Sequence, residues 1–298
     1  MGKARTRGQN RGNRGQNRGR PRGRTSGGRG FGARDGDLWL FGTHSVAAAL
    51  GNPRRGVRRV CVLDRLAERY RAVLESAWRE RGGTEKMPAV ELLSESGLEG
   101  LLPRGAVHQG LAVLADYLPS ADIGDIIKGL GDDAGGVLVM LDSVTDPHNV
   151  GAVLRSCGVF GVAGLVVKDR GSPEEGGVMA KSASGALEIV PVARVVNLSR
   201  TVSELREEFG FVCYALGADG DGDSDGDGGG MSINELGEKL TGTERVLLVL
   251  GSEGKGVGRL VRESCDGVVY IPAAGEFREL NVSNAAAVAL YALTRARN

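Results

Sequence analysis

The stretch VLVMLDSVTDPHNVGAVLRSCGVFGVAGLVVK (137–168) decides the fold of this chain. It holds two short, almost wholly apolar runs, 137–142 and 164–168, with helical spacing between them. Strands that are apolar on both faces and alternate with helices form a parallel sheet that is covered on both sides. Further runs of this kind follow at 188–192, 211–216, 245–251 and 267–272. We therefore predict an α/β fold with a parallel sheet.

The residues upstream of this stretch carry a smaller set of α/β patterns. The run VRRVCVL (57–63) predicts a strand, and 65–81 has the apolar spacing of an amphipathic helix. Thr43 is placed to cap a short helix through Ala49. The predicted organisation is a small α/β domain over 38–117, a linker rich in Pro, Gly and acidic residues over 118–134, and a second domain over 135–298.

Residues 1–37 form an Arg/Gly-rich tail for which we predict disorder. Positions 1–34 hold one Lys, ten Arg and no acidic residue, a formal charge of +11 that leaves −10 on the remainder. Gly keeps a chain flexible, and so few apolar residues cannot form a core. Arg side chains that neutralise phosphates release counterions, so we expect the tail to bind RNA nonspecifically. A solubility tail and a transit peptide are the alternatives.

The composition excludes several classes of protein. With 298 residues, 41% of them apolar, the chain is long enough for a packed core. It has no run of the roughly 18 apolar residues that a membrane helix needs, and no apolar stretch typical of a secretory signal. The four Cys form no CxxC pair, and neither the three His nor the Asp/Gly repeat at 218–230 has metal-ligand spacing. We expect a cytoplasmic protein with reduced, mostly buried thiols, no membrane partner and no metal.

Three clusters of polar residues and glycines follow predicted strands, where parallel sheets bind ligands. In the first, DPHNVGAVLRS (146–156), Asp146 fits a helix N-cap and Pro147 the first helical position. Asn149 and Arg155 lie roughly 120° apart on that helix, so both can border one cleft. The residues around Arg155 are apolar and predicted to be buried: Ala152, Val153, Cys157 and Val159.

The second cluster, LVLGSEGKGVGRL (248–260), is a Gly-rich turn after an apolar strand, which allows a ligand to approach the backbone closely. It is neither a P-loop nor a GxGxxG fingerprint, and Glu253 would repel a phosphate. The third cluster, IPAAGEFRELNVSNAAAVALYALTRAR (271–297), places Asn281 and two further polar residues at a helix start. One of them suffices as a cap, so three indicate ligand or backbone contacts as well.

These three clusters, in this order, resemble motifs one, two and three of the SpoU-type (TrmH-like) RNA 2′-O-ribose methyltransferases of the SPOUT superfamily. The likeness runs from about Gly136 to the end of the chain. Upstream, GTHSVAAAL (42–50) and VHQGLAV (107–113) resemble the small N-terminal RNA-binding domain of bacterial members that act on 23S rRNA guanosine. The resemblance therefore implies an enzyme that methylates the ribose 2′-hydroxyl of a guanosine in 23S rRNA.

The resemblance also implies a trefoil knot in the parallel-sheet domain, an obligate homodimer and S-adenosyl-L-methionine as cofactor. The residues that match the family's cofactor contacts are Gly251, Ile271 and Leu280. Those that match its catalytic and structural polar set are Asn149, Arg155, Glu253 and Asn281. Many members have Ser where this chain has Glu279, so we expect Glu279 to disturb the setting of Arg155 or to pair with it.

Arg155 is expected to position the substrate, because a guanidinium stays protonated in proteins and is a poor base. Asn149 and Glu253 are expected to hold Arg155 and the Gly-rich turn of the second cluster. Besides the tail and the last helix, the cationic groups available to RNA are Arg54, Arg55, Arg58 and Arg59.

Three other hypotheses stay open. The substrate is tRNA in the first, although the extra N-terminal domain favours rRNA. In the second, the protein is a noncatalytic RNA-binding factor for ribosome assembly on the same fold, which Glu279 alone supports. The third is a nucleotide-dependent oxidoreductase, and the position of the Gly-rich turn late in the chain counts against it.

Overall fold

The computed structural model describes residues 36–82, 84–131, 134–217, 230–277 and 279–295, which form two sheets. Of the predicted tail, only Gly36 and Asp37 are described, and Asp37 lies 3.6 Å from the guanidinium of Arg58. The Asp/Gly repeat lies outside the described residues except for Gly230.

The first sheet belongs to residues 36–117, which we call the N-terminal unit. Its strands are β1 (Leu38–Phe41), β2 (Val57–Leu63), β3 (Val90–Leu93) and β4 (Leu111–Ala115). They lie in the order β1-β4-β2-β3, with β2 and β3 parallel and the other pairs antiparallel. The helices of this unit are α1 (Thr43–Gly51), α2 (Ala67–Glu80) and α3 (Glu95–Glu99).

Two local predictions in this unit need correction. Thr43 is the first residue of α1 rather than its cap: Gly42 holds the cap position without a side-chain bond, and the Thr43 N–H donates to Gln109 Oε1 at 3.0 Å. The predicted helix over 65–81 is divided into a 3-10 turn, Asp64–Leu66, and α2. The amphipathic pattern itself is confirmed, because Tyr70, Leu74 and Ala77 are the buried residues of α2.

The second sheet belongs to the C-terminal unit, which we define as the described residues from 134 onward. Its strands are β5 (Gly136–Asp142), β6 (Gly164–Lys168), β7 (Val192–Val195), β8 (Phe211–Gly217), β9 (Met231–Ser232), β10 (Arg245–Gly251) and β11 (Gly267–Tyr270). They lie in the order β7-β6-β5-β10-β8-β11-β9, and every pairing between them is parallel.

Helices cover both faces of this sheet, as the apolar runs predicted. They are α4 (Ile123–Leu130), α5 (Pro147–Val159), α6 (Gly177–Ala183), α7 (Leu198–Phe209), α8 (Ile233–Lys239), α9 (Arg259–Ser264) and α10 (Val282–Thr294). Along β5, Val137 and Val139 pack in one core with α5 and α10, whereas Leu138 and Met140 pack in a second core with α7. Alternate side chains of a strand point to opposite faces, so continuous apolar runs are needed here.

The strand predicted at 188–192 is wrong. Residues Ala186–Glu188 form a 3-10 turn, and β7 begins only at Val192. Two residues interrupt the apolar run. Glu188 is buried and pairs with a residue that is distant in the sequence, and Pro191 has no N–H to donate to a neighbouring strand. The segment 118–134, predicted as a linker, contains α4, which the Asp122 side chain caps by accepting bonds from two backbone N–H groups.

The two units pack directly on each other through α6. A Cβ atom at Gly177 would lie 2.4 Å from the carbonyl oxygen of Trp39 in β1, so glycine is required for this close approach. Nearby, the buried hydroxyl of Ser45 in α1 donates to the carbonyl of Ala180 at 2.9 Å. A single apolar core therefore runs from the N-terminal sheet into one face of the parallel sheet.

Candidate active site at the carboxyl edge of the parallel sheet

The carboxyl ends of four adjacent strands bring the three motif clusters to one edge of the sheet. Asp142 at the end of β5 pairs in register with Gly251 at the end of β10. Gly217 at the end of β8 pairs with Tyr270 at the end of β11. The loops that leave this edge carry the first, second and third clusters, and such an edge is where open α/β sheets bind ligands.

Three of the predicted site residues are joined by hydrogen bonds. Asn281 Nδ2 donates to Glu253 Oε1 at 2.6 Å and to Asn149 Oδ1 at 3.0 Å. Asn149 Nδ2 donates in turn to Glu253 Oε1 at 3.2 Å. Each residue comes from a different motif cluster, so this network ties the starts of α5 and α10 to the turn after β10.

Local capping explains why the two asparagines stand where they do. Asp146 Oδ1 accepts a bond from the His148 N–H at 2.9 Å, and Pro147 follows at the first helical position, as predicted. Asn281 caps α10 because its Oδ1 accepts from the Ser283 N–H at 2.9 Å. Its Nδ2 is thereby left to the network. Asn281 thus accepts with one end of its amide and donates with the other, which neither Asp nor Ser can reproduce.

The turn after β10 folds back tightly on the strand. The Gly256 N–H donates to the Ser252 carbonyl at 2.9 Å, and Gly254 and Gly256 have φ values of 78° and 63°, which favour glycine. A Cβ atom at Gly251 would lie 1.9 Å from the carbonyl carbon of Gly256. Any side chain at Gly251 would therefore force this turn open.

Asp142 is a residue of this edge that sequence reasoning missed. Its buried carboxylate accepts from the Gly258 N–H at 2.7 Å and from the Ser143 hydroxyl at 3.0 Å. Asp142 therefore anchors the far end of the Gly-rich turn to β5. The available signal was a charged residue that ends an apolar strand directly before the first motif cluster.

Arg155 lies apart from this network. It is exposed on α5, and it forms no hydrogen bond or ion pair with any residue that the structure describes. The expectation that Asn149 and Glu253 hold Arg155 is therefore wrong, whereas their expected hold on the Gly-rich turn agrees with the bonds that they form with each other and with Asn281. The alternative partner Glu279 does not pair with Arg155 either, as far as the described residues go. The Arg155 guanidinium is available to a ligand.

The surroundings of Arg155 are only partly as predicted. Val153 and Cys157 are fully buried, as expected, but Val159 at the end of α5 is 72% exposed. Phe160 follows it and contacts Tyr291 of α10 edge to face, with ring centroids 6.4 Å apart. Tyr291 is itself 62% exposed, so the outer faces of α5 and α10 carry uncovered apolar side chains.

Two of the residues predicted to hold the cofactor, Ile271 and Leu280, border the loop after β11. Ile271 packs partly on the core beneath the sheet edge, whereas Leu280 is 48% exposed and Phe277 is 80% exposed. Within the described residues, no backbone hydrogen bond engages 273–277. Apolar side chains beside unused backbone donors and acceptors suit a ligand that joins a flat heteroaromatic ring to polar groups, so the set fits the adenosyl part of S-adenosyl-L-methionine.

The cations predicted to face RNA differ sharply in exposure. Arg55 is wrong for this role, because its side chain is fully buried. Arg58 remains half exposed but ion-pairs with Asp116 at 3.0 Å, and Arg59 pairs with Glu91 at 2.7 Å. Arg54 is exposed. Burial of Arg55 therefore leaves its three neighbours as the remaining candidates in this stretch.

Two groups of reactive side chains lie outside the site. His108 sits near Glu95 and Glu99, but its Nδ1 accepts from the Gly110 N–H at 3.0 Å, so the neutral ring keeps its proton on Nε2 rather than offering a lone pair there. The thiols are mostly buried, as predicted. Burial raises the pKa of Cys61 to about 11 and that of Cys157 to about 12, which suppresses the reactive thiolate.

A sequence model of the SpoU rRNA Methylase family matches residues 136–291, which include the whole carboxyl-edge network. The chain therefore belongs to the SpoU methylase family. No helix within the described ranges has the length and apolar character to cross a membrane.

Relatives in this family give the comparison more detail. A relative from Synechocystis, named an uncharacterized tRNA/rRNA methyltransferase, is 36% identical over 87% of this chain, and the chain spans 62% of its length. A relative of the same name from Mycobacterium is 37% identical, and 65% of its length is covered. The 23S rRNA (guanosine-2′-O-)-methyltransferase RlmB of Pasteurella multocida is 33% identical over 87% of this chain and 98% of its own.

Solved structures share the fold. A TrmH-family protein from Porphyromonas gingivalis superposes with a TM-score of 0.64 at 25% identity, over 89% of this chain and 92% of its own. The SpoU methyltransferase AviRb from Streptomyces viridochromogenes, in complex with AdoMet, gives a TM-score of 0.67 at 22% identity, over 89% and 91% of the two chains.

Proposed function

We propose that the protein transfers a methyl group from S-adenosyl-L-methionine to the ribose 2′-hydroxyl of a guanosine in 23S rRNA. The observation that carries this proposal is the convergence of Asn149, Glu253 and Asn281 at the carboxyl edge, with Arg155 exposed on the helix that begins with Asn149 in its first turn. The RlmB relative, which this chain covers almost from end to end, supports the choice of substrate.

The chain's own residues would hold the cofactor at the turn after β10 and the loop after β11. S-adenosyl-L-methionine, when bound, supplies a methyl group on a positively charged sulfur. Gly251 keeps the turn closed, and Ile271 and Leu280 offer apolar surface to the adenine ring. The Asn149–Glu253–Asn281 network fixes the relative positions of the two loops and of the first turn of α5.

Arg155 serves as a positioning and charge-stabilising group. A guanidinium carries five N–H donors in a fixed plane, which suits an RNA phosphate or an oxygen that gains negative charge. Arg155 would stabilise the negative charge that develops on the 2′-oxygen while the methyl group passes from sulfur to that oxygen, with the carbon–sulfur bond breaking as the carbon–oxygen bond forms. The Arg155 guanidinium stays protonated and cannot accept the hydroxyl proton. That proton therefore leaves to water or to a phosphate oxygen.

The N-terminal unit and the tail are proposed to bind the RNA. This assigns residues 38–117 to substrate binding, 118–134 to the connection and 135–298 to methyl transfer. The exposed Arg54 and the cationic residues 1–34 supply positive charge to a body that is otherwise acidic. The trefoil knot of the SPOUT superfamily and action in the cytoplasm complete this proposal.

A homodimer is proposed through the outer faces of α5 and α10. Three apolar side chains are exposed on these faces: Val159, Val288 and Tyr291. One of the two helices, α5, also carries Arg155. Contiguous exposed apolar surface is typical of protein interfaces. Association through these helices would bring a second copy close to the candidate site.

The direct test combines ligand binding with methyl transfer. Titration calorimetry is expected to show binding of S-adenosyl-L-methionine and none of NAD; NAD binding alone would instead support the oxidoreductase. Labelled methyl is expected to enter 23S rRNA and not tRNA. Transfer to tRNA alone would change the substrate, and cofactor binding without transfer to any RNA would contradict the enzyme. Mapping of 2′-O-methyl sites in rRNA from cells with and without the protein then identifies the nucleotide.

A further inference from the structure

One buried guanidinium joins the two units of the chain. Arg55 lies in the loop between α1 and β2 of the N-terminal unit, and its side chain is fully buried. Its Nε lies 3.1 Å from both carboxylate oxygens of Glu188, and its Nη2 lies 2.6 Å from Glu188 Oε1. Glu188 belongs to the C-terminal unit, so this bidentate ion pair crosses the junction.

The third guanidinium nitrogen of Arg55, Nη1, also has partners on both sides of the junction. Nη1 lies 2.5 Å from Glu175 Oε1, a second carboxylate of the C-terminal unit, and donates to the Asp116 carbonyl at 2.8 Å. Asn52 Nδ2 donates to Glu188 Oε2 at 2.7 Å. The cluster is thus engaged from both sides, and loss of one partner while the units stay packed would leave an uncompensated charge in an apolar interior.

Both carboxylates belong to one stretch, 175–190, which we call the α6 segment. The opposite side of this segment packs on α5. A Cβ atom at Gly151 would lie 2.4 Å from the Met179 carbonyl oxygen, and one at Gly158 would lie 3.0 Å from Ala186 Cβ. The α6 segment therefore lies between the N-terminal unit and the helix that carries Asn149 and Arg155.

We infer that Arg55 is a positioning residue that holds the N-terminal unit at one fixed place relative to the methyl-transfer site. This rests on the proposed function. A planar guanidinium between two carboxylates fixes orientation as well as distance. The enzyme then selects a folded RNA that is large enough to contact the N-terminal unit while its target ribose reaches Arg155. A short oligonucleotide, which contacts the methyl-transfer site alone, gains nothing from the fixed arrangement.

The test compares Arg55→Met with wild type on two substrates, once the target nucleotide is mapped. The substrates are a folded 23S rRNA fragment and a short single-stranded oligonucleotide with the same target. For the folded fragment, KM is expected to rise and kcat/KM to fall by about tenfold to a hundredfold, because a loosened unit lowers the effective concentration of the target. For the oligonucleotide, kcat and KM are expected to stay unchanged, as is the Kd of S-adenosyl-L-methionine.

Arg206→Met is the matched control. It removes a guanidinium that pairs with Asp266 at 2.6 Å within the C-terminal unit, away from the junction. It is expected to leave both substrates as in wild type. Equal losses on both substrates for Arg55→Met, or no loss on the folded fragment, would overturn the inference.

Two further measurements keep the inference testable. If Arg55→Met does not fold, Glu188→Gln, which keeps the side-chain shape and one acceptor oxygen, is expected to give a smaller loss confined to the folded fragment. Small-angle X-ray scattering of the same variant should show a wider distribution of distances between the units than wild type. The scattering measurement does not depend on methylation, so it tests the role of Arg55 and Glu188 at the junction even if the wild type methylates no RNA.

Discussion

The junction between the units and the carboxyl-edge site each contain an arginine, and the two arginines differ in burial and in pairing. Arg55 is fully buried, and each of its three guanidinium nitrogens is engaged by Glu188, Glu175 or the Asp116 carbonyl. Arg155 is exposed and engages no described residue. A guanidinium whose partners are all within the protein specifies geometry, whereas one without partners is available to a substrate.

The largest effect is expected on stability at the junction. Arg55→Met should lower the free energy of unfolding by about 3–5 kcal/mol, because removing one partner of a buried ion pair leaves uncompensated charge. Urea unfolding followed by circular dichroism measures it. Arg200→Met, on an exposed pair with Glu204, is the control and should change stability by less than about 1 kcal/mol. A similarly small change for Arg55→Met would mean that the cluster does not hold the units together.

The opposite result is expected at the carboxyl edge. Arg155→Ala should leave unfolding unchanged, since its exposed side chain forms no hydrogen bond or ion pair with a described residue, but lower kcat by about 10²–10³. Single-turnover methyl transfer with saturating cofactor measures the rate, and calorimetry should show cofactor affinity close to wild type. Methylation near the wild-type rate would remove Arg155 from the site.

Asn281 offers a finer separation of structure from function. Asn281→Asp keeps a side-chain oxygen to cap α10, but replaces the donor that faces Glu253 at 2.6 Å with a second carboxylate. We expect kcat/KM to fall by about tenfold to a hundredfold, as for loss of one hydrogen bond to a charged group, with little change in melting temperature. Asn281→Ala, which also loses the cap, should in addition melt earlier. Equal melting of the two variants would contradict this division of the amide.

The smallest effect is expected from the tail. Deletion of residues 1–34 removes a formal charge of +11, so RNA binding should weaken and its dependence on salt concentration should flatten. Filter binding over a series of salt concentrations measures both quantities, and a tail with every Arg replaced by Gln separates charge from length. Affinity that stays the same from low to moderate salt would make the tail dispensable for binding.

Much of the parallel-sheet unit was accessible from the sequence. Apolar runs located β5, β6, β8 and β10, and the sequence Asp146–Pro147 located the start of α5, because these signals are local. The failures have long-range causes. The run at 188–192 is apolar enough for a strand, but Glu188 is held by a guanidinium 133 positions away. The sequence of segment 118–134 predicts a linker, yet Ile126 and Ile127 of α4 pack in the second core.

The sequence by itself determined that a parallel sheet forms and that polar loops follow its strands, because strand patterns and helix caps depend on neighbouring residues. It also supplied the candidates Asn149, Glu253 and Asn281. Tertiary contacts were needed to establish that these three bond to one another, that Asp142 anchors the Gly-rich turn, and which arginine is buried and which is exposed. Burial and pairing depend on residues that are more than a hundred positions apart in the chain, and composition and spacing carry no information about such contacts.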